Sequence, residues 1–115
     1  MNIIDGKHFK LTETEKYEIW KKKFRKEMQD ILSKIFEKKI GGSFVSVYAV
    51  DKWNIYFNVR GVASDISKIE NDPMLKEIIN IKAMWDEPTA CCCELHAKTE
   101  EEFNTKLGGL KICLF

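Results

Sequence analysis

The sequence predicts an α+β fold in which a long N-terminal helix packs on a mostly antiparallel sheet of four to five strands. Three observations support this two-layer sandwich: a helical apolar pattern near the N-terminus, strict alternation of apolar and polar residues over 44–60, and shorter alternating runs towards the C-terminus. Packing the apolar helix stripe on the apolar sheet face buries both. The expected order is α-β-β-α-(β)-β-α-β in a single domain, residues 1–115.

The first helix is predicted by apolar residues that recur at helical spacing from Tyr17 to Ile35. Thr12 or Thr14, each followed by a glutamate, can cap its N-terminus. The glycine pair at 41–42 can end it, because glycine adopts the left-handed C-terminal conformation at little cost. We expect this helix to supply the core residues Trp20, Phe24, Ile31 and Ile35.

The two alternating runs that follow predict a β-hairpin with its turn at 51–53. Successive strand residues point to opposite faces, so one set is expected in the core: Val45, Val47, Ala49, Ile55, Phe57 and Val59. The opposite set is rich in aromatic and polar side chains. We call it the outer face, and it comprises Phe44, Ser46, Tyr48, Tyr56, Asn58 and Arg60, with Glu94 and His96 from a later strand.

The remaining elements are predicted from caps, turns and shorter patterns. Ser64 or Asp65 can cap a helix, and Asp72-Pro73 offers a second helix start because proline suits the first helical position. The predicted order is a kinked helix over 64–80, a strand over 81–85, a turn over 86–89, a strand over 90–97, a helix over 99–109 and a strand over 110–114. The alternative for 81–85 is an extension of the preceding helix. The kinked helix is the alternative cover for the outer face, which would then be buried.

Composition excludes several classes of protein. No apolar run reaches the roughly 20 residues of a membrane helix and no signal peptide is recognisable, so we expect a cytoplasmic protein without membrane association. The four cysteines fit neither a secreted disulfide framework nor a common zinc-ligand spacing. No phosphate loop, nucleophile elbow or dinucleotide fingerprint is present, so we expect no cofactor, no metal and no enzymatic activity.

The segment 91–96 nevertheless gathers three thiols, a carboxylate and an imidazole. Strand alternation places Cys91 and Cys93 on the core side, and it separates Cys92 from His96 by roughly 13 Å, too far for one zinc ion. An acid/base pair of Glu94 and His96 with Cys92 as nucleophile is the enzyme alternative. A solvated charge pair is the simpler interpretation.

The charges are distributed unevenly along the chain. Residues 1–60 carry 13 Lys and Arg against 8 Asp and Glu, whereas residues 61–115 carry 6 against 10. The densest basic run predicts the alternative of a nucleic-acid-binding module, through Lys21, Lys22, Lys23, Arg25 and Lys26. Glu18, Glu27 and Asp30 lie within helical reach and are expected to neutralise much of it.

The favoured interpretation is a small inhibitor that binds another protein. Tyrosine and arginine are enriched where proteins bind proteins, and the outer face carries both. An immunity-type protein needs only a rigid, charge-complementary surface to occlude the active site of a toxin or nuclease. The expected partner-binding residues are Tyr48, Tyr56, Asn58, Arg60, Glu94 and His96 of the outer face, with Glu100, Glu101 and Glu102 as mimics of phosphate.

Overall fold

The computed structural model describes residues 11–40, 42–84 and 86–113. The helices within them are α1 (Glu13–Lys39), α2 (Ala63–Glu70), α3 (Pro73–Ile78) and α4 (Glu100–Cys113), and the strands are β1 (Phe44–Asp51), β2 (Asn54–Arg60), β3 (Asn80–Met84) and β4 (Glu87–Leu95). The strands form one sheet in the order β1-β2-β4-β3, and every neighbouring pair is antiparallel. The predicted α+β two-layer fold is confirmed, with four strands in the described residues.

Helix α1 begins where the capping motif predicts. The backbone N–H of Glu15 donates to Oγ1 of Thr12 at 3.1 Å, and the backbone N–H of Thr12 donates to the Glu15 carboxylate at 2.8 Å. The expected core residues are only partly right, since Ile35 is buried but Trp20, Phe24 and Ile31 are half-buried. The first half of α1 lies beside the hairpin turn, where Trp20 stacks on Phe24 and both contact the Trp53 ring edge to face. The deepest positions belong to the second half, at Met28, Leu32, Ile35 and Phe36.

The hairpin forms as predicted, but one residue of β1 changes faces. The register with β2 shifts between Val47 and Ala49, which is a β-bulge. The extra residue changes the phase of the alternation, so Val50 is buried in the core in place of Ala49, which is half-buried. The prediction that Ala49 faces the core is therefore wrong by one position.

All four helices contribute to one core on the same side of the sheet. Residues Ile66 and Ile69 of α2 and Leu75 of α3 are buried together with α1 and with the inward side chains of β1, β2 and β4. The segment 64–80 therefore packs on the core side and does not cover the outer face. It forms two helices, because Asp72 caps a new helix whose first residue is Pro73. The cap of α2 is Val62, without a side-chain hydrogen bond, and the predicted caps Ser64 and Asp65 lie inside the helix.

The C-terminal segment differs from the prediction of a last strand. Helix α4 continues through Gly108 and Gly109 to Cys113, and Leu114 lies outside the described residues. The apolar stripe of α4 extends past the glycines, with Phe103, Leu107 and Leu110 buried in the core. This burial outweighs the helix-propensity cost of about 1 kcal/mol per glycine.

Both strands of the second hairpin begin earlier than predicted, and β4 extends into the expected turn. Strand β3 begins at Asn80, and β4 begins at Glu87, so residues 87–89 of the expected turn belong to the strand. In the described part of the chain, no helix combines the length and the apolar character needed to cross a bilayer.

Candidate functional site

The outer face is left uncovered by the described helices. Its most exposed side chains are aromatic: Phe44 is 63 % exposed and Tyr48 is 51 % exposed. Register pairing brings Tyr56 of β2 opposite Glu94 of β4, and Asn58 opposite Cys92. The outer-face residues predicted from β1, β2 and β4 are thus brought together on one surface.

At one end of this face, a hydrogen-bonded network holds an imidazole. Nε2 of His96 lies 2.8 Å from Oε1 of Glu94, and Nδ1 lies 3.0 Å from Oδ1 of Asn54. Each ring nitrogen thus has an oxygen partner on a different strand or strand end. A ring with a partner at each nitrogen is restricted in orientation, so His96 contributes an ordered ring to the outer face.

An aromatic row continues from the imidazole towards the sheet edge. The Tyr56 ring meets His96 edge to face with centroids 5.6 Å apart, and Tyr48 lies 6.5 Å from Tyr56. Burial raises the pKa of Tyr48, and the nearby Cys92 and Glu94 add to the shift, so its hydroxyl remains neutral. The row therefore offers ring surface together with neutral hydrogen-bonding groups.

The opposite end of the face carries an ion pair. Nη1 of Arg60 lies 2.7 Å and 3.0 Å from the two carboxylate oxygens of Glu87, and both side chains are partly exposed. An exposed pair of this kind contributes at most about 1 kcal/mol to stability. Beside it, Oδ1 of Asn58 is shielded from solvent and has no hydrogen-bond partner among the described residues.

The enzyme alternative requires a contact between Glu94 and His96 and a second contact from Cys92 to this pair, and the structure shows only the first among the described residues. Glu94 and His96 are hydrogen-bonded, but in the described part of the chain no hydrogen bond joins Cys92 to either of them. Cys91 and Cys93 are fully buried, as predicted, with their sulfur atoms 3.9 Å apart. The hydrogen bond to Cys91 and burial both raise the pKa of the Cys93 thiol, which suits a core residue and not a nucleophile. A search of the described residues finds no cluster of three or more metal-ligating side chains.

The three glutamates at the start of α4 have different roles. Glu102 accepts a hydrogen bond from the backbone N–H of Lys98 at 2.8 Å and pairs with Lys106 at 3.4 Å, and its own N–H donates to Thr99. The Lys98 N–H and then Lys106 lower the pKa of this carboxyl. Glu102 therefore stabilises the start of the helix. Glu100 and Glu101 remain exposed and line one shallow surface depression.

The basic residues of α1 lie mainly on its exposed side. Lys21 pairs with Glu18 at 3.2 Å and lies 5.1 Å from the centre of the Tyr17 ring. Among the described residues, no ion pair within 4.0 Å is formed by Lys22, Lys23, Arg25 or Lys26. The expected neutralisation of these side chains by Glu27 and Asp30 is therefore not observed. Lys22, Arg25 and Lys26 line a groove between α1 and β1.

Sequence reasoning did not identify the residues that connect these features. Asn54 begins β2, and its contact with His96 joins positions 42 residues apart and depends on strand register. Glu87 lies in the predicted turn over 86–89, and its position in β4 is what brings it to Arg60. Gln29, which bonds the backbone of β1, had no signal beyond a polar residue beside the apolar helix stripe.

Comparison of the chain with protein-family models, with curated proteins and with solved structures finds no match.

Proposed function

We propose that this chain is a small binding protein that holds another protein on the outer face of its sheet. In this proposal it acts as an immunity-type inhibitor and occludes the active site of a toxin or nuclease. The observation that carries the proposal is the uncovered outer face, where Phe44 and Tyr48 are more than half exposed although every described helix packs on the other side. Several aromatic side chains exposed on one uncovered face are typical of an interaction site.

The rigidity of the face supports binding. Tyr56 is contacted by Tyr48 on one side and His96 on the other, and His96 is itself hydrogen-bonded to Glu94 and Asn54. Side chains that are already ordered lose little conformational entropy on association. Tyrosine also combines a large apolar area with a hydroxyl that can bond to a partner.

The polar groups of the face support a partner with hydrogen-bond donors. The unpartnered Oδ1 of Asn58 can accept a donor from the partner after rotation of its side chain. Glu100 and Glu101 lie on α4, which packs on the opposite side of the sheet, and their exposed negative charge favours a basic partner surface, such as a nuclease cleft, that extends beyond the outer face. Glu102 does not belong to this set because its carboxylate caps α4.

Site-specific photo-crosslinking tests the proposal. A photoreactive phenylalanine analogue replaces Tyr48 on the outer face or, as the matched control, Met74, which is 58 % exposed on α3. The Tyr48 position should crosslink one predominant protein in the source cell, and Tyr56→Ala should reduce that product by at least about tenfold. The captured protein is then purified and assayed, and a one-to-one loss of its activity on adding this chain supports inhibition.

Two results would contradict the proposal. Equal crosslinking from Tyr48 and Met74 would remove the outer face as the binding surface. A specific partner whose activity is unchanged by the bound chain would retain binding but remove the inhibitor function. Circular dichroism of each variant serves as the folding control, and we expect native spectra because Tyr48 and Tyr56 lie outside the core cluster.

A further inference from the structure

A groove separates the basic side of α1 from strand β1. One part has a volume of about 440 Å³, with Lys22 and Arg25 on the helix side and Tyr48 and Val50 on the strand side. A second part, of about 310 Å³, shares Lys22 and Arg25 and extends to Val47. The two parts therefore lie side by side along β1, at Val47 and at Tyr48–Val50.

Strand β1 is an edge of the sheet, since its strand partner in the described residues is β2 alone. At Val45 and Val47 the free edge is occupied by a side chain. The Gln29 amide donates from Nε2 to the carbonyl of Val45, and its Oε1 accepts from the Val47 N–H at 2.7 Å. One donor and one acceptor are the contacts that a neighbouring strand would make. Beyond Val47, no described hydrogen bond from α1 reaches the backbone of residues 48–50, where the groove lies.

The charge of the groove selects the class of ligand. Glu18 and Lys21 also line the groove but are paired with each other at 3.2 Å, whereas Lys22, Arg25 and Lys26 have no ion-pair partner among the described residues. Three cations without partners beside one groove attract an anionic ligand.

We propose that the groove binds an acidic peptide segment in an extended conformation, which adds as a strand to β1 and places carboxylates at Lys22 and Arg25. Strand addition supplies affinity through the main chain and selectivity through alternate side chains. A peptide is favoured over nucleic acid because one wall is a strand edge, and because the apolar side chains of Ile19 from α1 and Val50 from β1 line the groove. Tyr48 is the groove's one aromatic residue in the described lining, whereas single-stranded nucleic acid is held on several stacking rings.

This site is separate from the outer face of the proposed function, although Tyr48 borders both. Its test therefore uses substitutions on α1. A fluorescein-labelled peptide of about eight residues, with alternating glutamate and valine, matches the length of a typical strand and is titrated with the full chain by fluorescence anisotropy. We expect saturable binding that weakens as salt is added.

The decisive variant is Lys22→Glu/Arg25→Glu, which should weaken peptide binding at least about tenfold. The matched control is Lys68→Glu/Lys76→Glu, which changes the net charge equally at exposed positions of α2 and α3 and should leave affinity within about twofold. Tyr56→Ala on the outer face should also leave peptide affinity unchanged. Circular dichroism confirms that each variant is folded.

Control ligands separate the two parts of the proposal. A peptide with glutamine in place of glutamate should bind at least about tenfold more weakly, and so should the acidic peptide with alternate backbone amides N-methylated. If the N-methylated peptide binds equally well, strand addition is refuted. If both charge-reversal variants behave alike, or if a single-stranded oligonucleotide binds more tightly than the peptide, the acidic-peptide site is refuted. Each of these failures leaves the crosslinking test of the outer face unaffected.

Discussion

The side-chain amide of Gln29 links α1 to the edge strand β1 through hydrogen bonds to its backbone. Removing this amide tests how much the link between helix and sheet stabilises the fold. Its Nε2 donates to the Val45 carbonyl and to Oγ of Ser33, and its Oε1 accepts from the Val47 N–H. Gln29→Leu keeps the size of the side chain but deletes all three bonds. The two backbone bonds each contribute about 1 kcal/mol net, so we expect the free energy of unfolding to fall by about 2 kcal/mol.

The loss is measured by urea unfolding followed by tryptophan fluorescence, with Glu27→Leu as the matched control. Glu27 is exposed on the same helix, so its replacement should change the free energy of unfolding by less than about 0.5 kcal/mol. Amide hydrogen exchange gives a local readout, because the Val47 N–H loses its acceptor and should exchange faster in Gln29→Leu. The Val59 N–H, on the neighbouring strand, serves as the internal reference.

Two outcomes would refute this reasoning. A change below about 0.5 kcal/mol in Gln29→Leu would mean that the amide contributes no net stability. Unchanged exchange at Val47, relative to Val59, would mean that its N–H does not depend on Gln29. Gln29→Glu adds a further check, since it keeps the acceptor for Val47 but places a carboxylate against the Val45 carbonyl, and it should also destabilise the fold.

Three further predictions concern turns and helix ends. Lys52 has a positive φ of 52°, so Lys52→Gly should stabilise the hairpin by about 1 kcal/mol in urea unfolding, and a destabilised variant would contradict this. Gly108→Ala should raise the free energy of unfolding by about 0.8 kcal/mol, because its Cβ would meet nothing within 4 Å. Gly109→Ala should raise the free energy of unfolding by less, because its Cβ would lie 3.3 Å from Cδ1 of Ile78. Equal increases in the two variants would contradict the close packing of α3 on α4. The lowered pKa of Glu102 means that its carboxylate stabilises the folded state above pH 4.5 and loses this contribution as the pH falls through the lowered value. The melting temperature of Glu102→Gln should therefore fall less over that acidic range than the melting temperature of the wild type. Parallel curves of melting temperature against pH would contradict this prediction.

Periodicity predicted the elements whose patterns are regular. Helix α1 follows from its capping box and apolar stripe, and the outward positions of β2 and β4 follow from simple alternation. The bulge in β1 was not predictable in this way, because Ala49 and Val50 are both apolar and either could continue the alternation. The register had to be known before the inward residue could be assigned.

The glycine pair in α4 misled the prediction for a different reason. The predicted helix ends at Gly109, although Phe103, Leu107 and Leu110 are spaced as one helical stripe that continues past it. Absence of a side chain at Gly109 allows α4 to approach Ile78 closely, so a residue that weakens the isolated helix favours its packing. The contact between Gly109 and Ile78 is a tertiary contact, so the local sequence around the glycines does not reveal it.

The two features of β1 that protect a sheet edge also define what can bind there. A bulge and a side chain bonded to the backbone both interrupt the regular row of free groups on which a strand from another molecule could pair. A neutral strand that added beyond Val47 would make its main-chain bonds at residues 48–50 but would leave Lys22 and Arg25 without partners. An acidic segment gains the charge interactions as well, so the protected edge remains selective for it.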